Sequence, residues 1–172
     1  MPTAVVALAL AAGAAAPAAV AKERPFRASL SGTTVSLVGG DARRCPEVTE
    51  VTGEEEVPIW VTTLEGTGWA SHLGRVEVWN EYCVNGVGEY GDGVLKLTAA
   101  NGDVLEGTFS GGVSAWPDSE GWSDFRDEYT FTSGGTGRFA TASGSGAETG
   151  SINVVTREWT LEITGTLDYG RG

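Results

Sequence analysis

The stretch Glu158-Trp159-Thr160-Leu161-Glu162-Ile163-Thr164-Gly165-Thr166-Leu167 decides the fold class. Trp159, Leu161, Ile163 and Leu167 alternate with Glu158, Thr160, Glu162, Thr164 and Thr166. A period of two puts one row of side chains on each face of a strand. One face is buried and the other is wet, as in antiparallel sheets. Working back along the chain, similar runs fall at 26–30, 57–65, 75–83, 94–99, 104–110, 124–132 and 142–154. They are rich in Val, Thr, Trp, Tyr and Phe and are punctuated by Gly, which is an all-β signature. Asn101-Gly102, between two of the runs, predicts a type I′ hairpin turn with positive φ at both central residues. Two longer loops are expected, at 39–56 and 111–122.

Composition narrows the function. The 172 residues carry 11 Lys+Arg against 23 Asp+Glu, a formal net charge of -12. Phosphate backbones need clustered Lys and Arg, so nucleic acid is not an expected partner. With one His and two Cys, a closed structural zinc site of nitrogen and sulfur ligands cannot be built. The length suits one domain, with no repeat and no linker.

The first segment reads as an export signal. Residues 4–21 carry no charge and contain the apolar run Ala4-Val5-Val6-Ala7-Leu8-Ala9-Leu10. Ala19-Val20-Ala21, followed by Lys22 and Glu23, has the form of a cleavage site. Met1-Pro2-Thr3 supplies no basic n-region. A membrane anchor fits less well, since the run holds Gly13 and Pro17 and barely reaches spanning length. The expected division is a signal peptide at 1–21 and one β domain at 22–172. A secreted product with no stable membrane insertion after cleavage is implied. A mature domain of that size buries about 70% of its unfolded surface.

Export makes the cysteines legible. Cys45 and Cys83 are the one possible pair, and an oxidising compartment favours their disulfide. The alternative is a reactive thiol, which wants an electropositive setting. Arg43 and Arg44 beside Cys45 would supply one.

Eight antiparallel strands suit either a sandwich or a closed up-and-down barrel. Closure removes edge strands, and Gly144, Gly146 and Gly150 permit the bends a small barrel needs. Three segments add a resemblance. They are Gly66-Thr67-Gly68-Trp69-Ala70-Ser71-His72-Leu73-Gly74-Arg75; 97–111, around Asn101-Gly102; and Gly134-Gly135-Thr136-Gly137-Arg138-Phe139, closed by Gly165-Thr166-Leu167-Asp168-Tyr169. Their order and spacing resemble bacterial proteins with an allene oxide cyclase-like barrel, and the third resembles a motif of plant dirigent proteins. The resemblance spans 26–169. It implies an eight-stranded antiparallel up-and-down barrel with an apolar interior. It also implies no metal and no organic cofactor, and a possible homo-oligomer. Plant relatives cyclise a fatty-acid epoxide or steer the coupling of phenoxy radicals, and some bacterial relatives cyclise polyketides. The matched residues specify the fold and carry over no catalytic residue. Gly134, Gly135 and Gly137 would make a tight turn, Phe139 would plug one end, and Arg138 would snorkel or pair with an acid.

Candidate chemistry is then weighed residue by residue. His72 is the sole imidazole, so it is a candidate acid or base, against a packing role. Glu77, Glu81, Glu106, Glu128, Glu148, Glu158 and Glu162 all fall on expected strands. A barrel enzyme would point one inward and raise its pKa by desolvation. Arg126 and Glu128 share a face and are the candidate pair, although Phe125, Tyr129 and Phe131 already occupy the other face. Trp60, Trp79, Trp116, Trp122 and Trp159 are candidates for lining a ligand cavity, against ordinary core, and Trp116 and Trp122 read as a lid over its mouth or as a surface patch. Asp118, Glu120, Asp124 and Asp127 lack EF-hand spacing for calcium. The expectation is an exported barrel that binds a small apolar or aromatic molecule inside. The alternatives are a cofactor-free cyclase or isomerase, and a non-catalytic structural or protein-binding barrel. An inward carboxylate, Arg or Tyr facing an aromatic-walled pocket would favour the enzyme. An apolar pocket without a shifted titratable group, or a filled interior with the aromatics outside, would favour the binder, and no pocket at all would favour the structural barrel.

Overall fold

The computed structural model describes residues 23–48 and 57–170. The expected signal peptide at 1–21 lies outside the described residues. Eight strands follow in order: β1 (Arg24–Gly39), β2 (Ile59–Ala70), β3 (Gly74–Asn85), β4 (Glu89–Ala99), β5 (Val104–Ala115), β6 (Trp122–Thr132), β7 (Gly144–Asn153) and β8 (Glu158–Leu167). Each pairs antiparallel with the next, and β1 pairs with β8, closing an up-and-down barrel. Closure leaves no edge strand to template aggregation.

Several strands outrun their sequence limits. β1 is 16 residues long, and its Ser-, Thr- and Gly-rich second half pairs with β2 past a register shift between Thr34 and Ser36. The composition of a loop becomes a strand there because β2 satisfies its backbone on one side, while the pairing with β8 ends at Thr33. β6 begins at Trp122 rather than at 124, so Trp122 is a strand residue.

The lower end of the barrel gathers the β2–β3, β4–β5 and β6–β7 connections, and it is filled. Phe26, Val76, Leu97, Leu105, Phe131 and Leu167 are buried there, with Phe139, the last residue of the Gly137–Phe139 3-10 turn, fully buried among them. Burying side chains of this size stabilises by about 1.5–3 kcal/mol each. Phe139 packs edge-on to Tyr169 at 5.2 Å, as a plug. Gly137 has φ +57, and Arg138 pairs with Asp103 at 3.5 Å and donates to the His72 carbonyl at 2.6 Å. The Asn101-Gly102 hairpin corrects its prediction. Gly102 alone takes positive φ (+85), and its amide donates to the Ala99 carbonyl at 2.9 Å. The connection is one turn closed by a left-handed glycine, because Asn101 spends its side chain on Asp103 instead.

Interior aromatic rings need glycines on facing strands. A Cβ on Gly66 or Gly32 would stand 2.7 Å from the Trp159 ring, and one on Gly150 would stand 2.5 Å from the Phe125 ring. These glycines are sites of close approach. Cys45 and Cys83 form a disulfide with Cα atoms 5.7 Å apart. It sits in a small cluster with Val48 and Val61 on the outer wall.

Candidate functional site

The upper half of the barrel is built differently. Along β6, Phe125, Asp127, Tyr129 and Phe131 alternate with exposed Asp124, Arg126, Glu128 and Thr130. The apolar parity therefore carries one carboxylate into the interior. On β7, Glu148 shares the inward row with Gly146, Gly150 and Ile152. The β6–β7 register sets Asp127 directly opposite Glu148. Asp127 is 3% exposed and Glu148 is 1% exposed. Like charges directly opposite on one face destabilise a sheet, and burial deepens the cost.

The pair faces a cavity of about 20 Å³ lined by Leu64, Asn80, Tyr82, Tyr90, Phe109, Phe125, Ile152, Trp159 and Leu161 as well as the two acids. That volume holds about one water. The Tyr82 ring lies 5.2 Å from Tyr90 and 5.8 Å from Phe109, and Tyr90 lies 6.3 Å from Phe125. Tyr82, Tyr90, Phe125 and Ile152 are half-buried, so these side chains form the upper rim of the chamber. The chamber wall is mostly apolar and aromatic, with Asn80, Asp127 and Glu148 set into it.

Hydrogen bonding in the chamber is incomplete. A Gly112 backbone amide donates to Asp127, and the side chains of Tyr82 and Thr62 are hydrogen-bonded. Both Glu148 oxygens, Asp127 Oδ1, Asn80 Oδ1 and Trp159 Nε1 are buried without a partner among the described residues. Native interiors pair nearly all such groups, so a set of orphans around one cavity marks a site. Desolvation pushes Asp127 up to about 7, with the Gly112 amide opposing the rise. Desolvation, and then the Asp127 charge, push Glu148 up to about 8. Burial also drives the Tyr82 and Tyr90 phenols well above their ordinary value. Near neutral pH the two carboxyls share protons and are not both ionised. Such a pair can give and take a proton, or become fully charged around a cation.

Most of the residues singled out in the sequence lie elsewhere. Arg126 and Glu128 are exposed on the outer wall. Their parity opposes Phe125 and Tyr129, so they do not form an inward pair. His72 sits at the plugged end in the β2–β3 turn, with φ +68 and Nε2 3.0 Å from the Pro25 carbonyl. Trp79 lies on the outside beneath Lys96, whose Nζ is 5.5 Å from the ring centre. Trp60 and Trp122 are half-buried, and Trp116 is 63% exposed. None of these lines the Asp127–Glu148 cavity, whereas Trp159 does. The site residues that sequence reasoning missed are Asp127, Asn80, Tyr82 and Tyr90. For Asp127 the signal was present, since it stands between Phe125 and Tyr129 on the apolar parity. Glu148 was one of seven strand glutamates, and its glycine neighbours hide which face is apolar. Among the described residues no group of three His, Cys, Asp or Glu is placed to hold a metal ion.

Fold and site together define a closed antiparallel barrel with an apolar lower half and an acidic, aromatic-rimmed upper chamber. No protein-family model, curated protein or solved structure matches the chain.

Proposed function

We propose that this is a secreted barrel that takes a small ligand at its upper end. The ligand's apolar or aromatic body lies against Tyr82, Tyr90 and Phe125, and one polar group reaches Asp127 and Glu148. The observation that carries this reading is the opposed, buried and incompletely hydrogen-bonded carboxylate pair in an aromatic chamber. A purely structural barrel would gain by replacing both acids with apolar residues. The disulfide supports export, because such bonds persist in oxidising compartments. The cavity admits a group no larger than a water, so the body of the ligand stays at the rim unless the rim rearranges.

A second reading has its own support. Two carboxyls titrating near neutrality, one facing the other, suit a proton transfer out of one bond and into another with no net consumption. That is the chemistry of a cofactor-free isomerase or cyclase, the class implied by the likeness to allene oxide cyclase-like barrels. Binding comes first in either case. Native mass spectrometry of the secreted protein, purified without detergent, tests it. The expected result is a co-purifying mass of small-molecule size, lost on denaturation. A clean apo mass, with no binding to small aromatic probes, would return the protein to the structural or partner-binding class.

A further inference from the structure

Resting on that ligand-binding reading, we propose that the group held between Asp127 and Glu148 is a cation, the ammonium of a small primary amine. The buried orphans around the pair are mostly acceptors: both Glu148 oxygens, Asp127 Oδ1 and Asn80 Oδ1, against two groups that can donate, Trp159 Nε1 and the Tyr129 hydroxyl. Asn80 is 3% exposed and Trp159 is 1% exposed, and both line the same cavity as the acids. An ammonium offers three N–H donors and no acceptor, a hydroxyl offers one donor, and a carboxylate offers none. No Lys, Arg or His is among the lining residues, so no protein cation balances the acids there. The cavity's about 20 Å³ fits a group of that size. The faces of Tyr82, Tyr90, Phe125 and Trp159 favour a positive charge and disfavour a negative one. An aromatic or aliphatic tail on the amine would leave through the half-exposed rim.

Binding of an ammonium favours the ionised form of both acids, so it releases protons and strengthens as pH rises while the amine stays charged. The groups facing the pair are Tyr82 on β3 and Tyr90 on β4. Tyr129, whose hydroxyl is buried beside β7 and β8, is the third. All three are neutral phenols across that range, so the two carboxyls set the pH dependence.

The experiment is calorimetry on the intact, disulfide-bonded chain with 2-phenylethylamine, 2-phenylethanol and phenylacetate, at pH 6 and pH 8.5. The amine should bind about tenfold tighter than the alcohol, phenylacetate should not bind, and the amine's affinity should rise with pH with proton release. Glu148→Gln and Asp127→Asn should each weaken the amine by about tenfold, with Glu128→Gln unchanged as the outer-wall control. Thermal unfolding of both variants checks that the fold is retained. Alcohol or phenylacetate binding as tightly as the amine would overturn the cation and leave the ligand-binding reading standing. So would a native co-purifying ligand without a basic nitrogen. If no probe binds and the native mass is clean, the ligand-binding reading fails, and the cation with it.

Discussion

At Asp127 and Glu148 the chain accepts a local cost, and that cost is measurable. Each carboxyl is buried, and its neutral isostere keeps the shape while removing the charge. Glu148→Gln should therefore stabilise the free protein at pH 9 by about 1–4 kcal/mol. Urea denaturation measures this, and a loss of stability would show that Glu148 is paired in the native state. Glu128→Gln, one residue along in parity but on the wet side, should change stability by less than about 0.5 kcal/mol. Trp159 is the opposite case, a 1%-exposed ring in the core. Trp159→Ala should cost about 3–5 kcal/mol. Asp127 was legible at this scale, since it stands on the same parity as Phe125, Tyr129 and Phe131. Glu148 was not, because Gly146 and Gly150 beside it have no side chains to mark an apolar face.

The strands set how closely the rings can pack. Gly66 lies on β2 at the point where β1 and the Trp159 ring converge, and a Cβ would come within 2.7 Å of that ring. Gly66→Ala should destabilise by about 1–3 kcal/mol through overpacking. The same substitution at Gly39, where nothing lies within 4 Å of the added atom, should be close to neutral. Comparing the two denaturation midpoints separates crowding from the general effect of removing a strand glycine. The turn prediction failed at this scale for a related reason. Asn-Gly is compatible with more than one turn, and the side-chain bonds from Asn101 to Asp103 select the one with a single left-handed residue.

Over the whole molecule the raised carboxyls link stability to pH. Unfolded, these groups would lose their protons near 3.8 and 4.5; folded, they hold them to about 7 and 8. Through that window the folded chain binds more protons than the unfolded one, so stability falls as pH rises from about 4 to about 8 and levels above it. The double variant Asp127→Asn/Glu148→Gln should flatten that slope. The self-repulsion of a -12 chain acts in the same direction, but salt screens it, and the double variant retains it. Melting temperatures across pH at two salt concentrations tell the contributions apart; an unchanged slope in the double variant would mean the pair is not the source. The disulfide acts at the same scale. It joins residues 38 apart, so Cys45→Ser/Cys83→Ser should lose about 4 kcal/mol, mainly by freeing the unfolded chain.

The sequence by itself determined the all-β class, through the period of two in runs such as 158–167, and the one possible disulfide, through two cysteines. Closure was argued from strand count and glycines together with a family likeness, and the β1–β8 pairing makes it definite. Only the tertiary structure decided where the polar site lies. Whether a strand residue faces the interior depends on parity, but which inward residues meet depends on the register between strands. The facing of Asp127 and Glu148 across β6 and β7 is such a register fact. The division into a plugged lower half and an acidic upper chamber was hidden for the same reason. The lining of the upper chamber comes from seven strands, β2 to β8, and no stretch of sequence contains it.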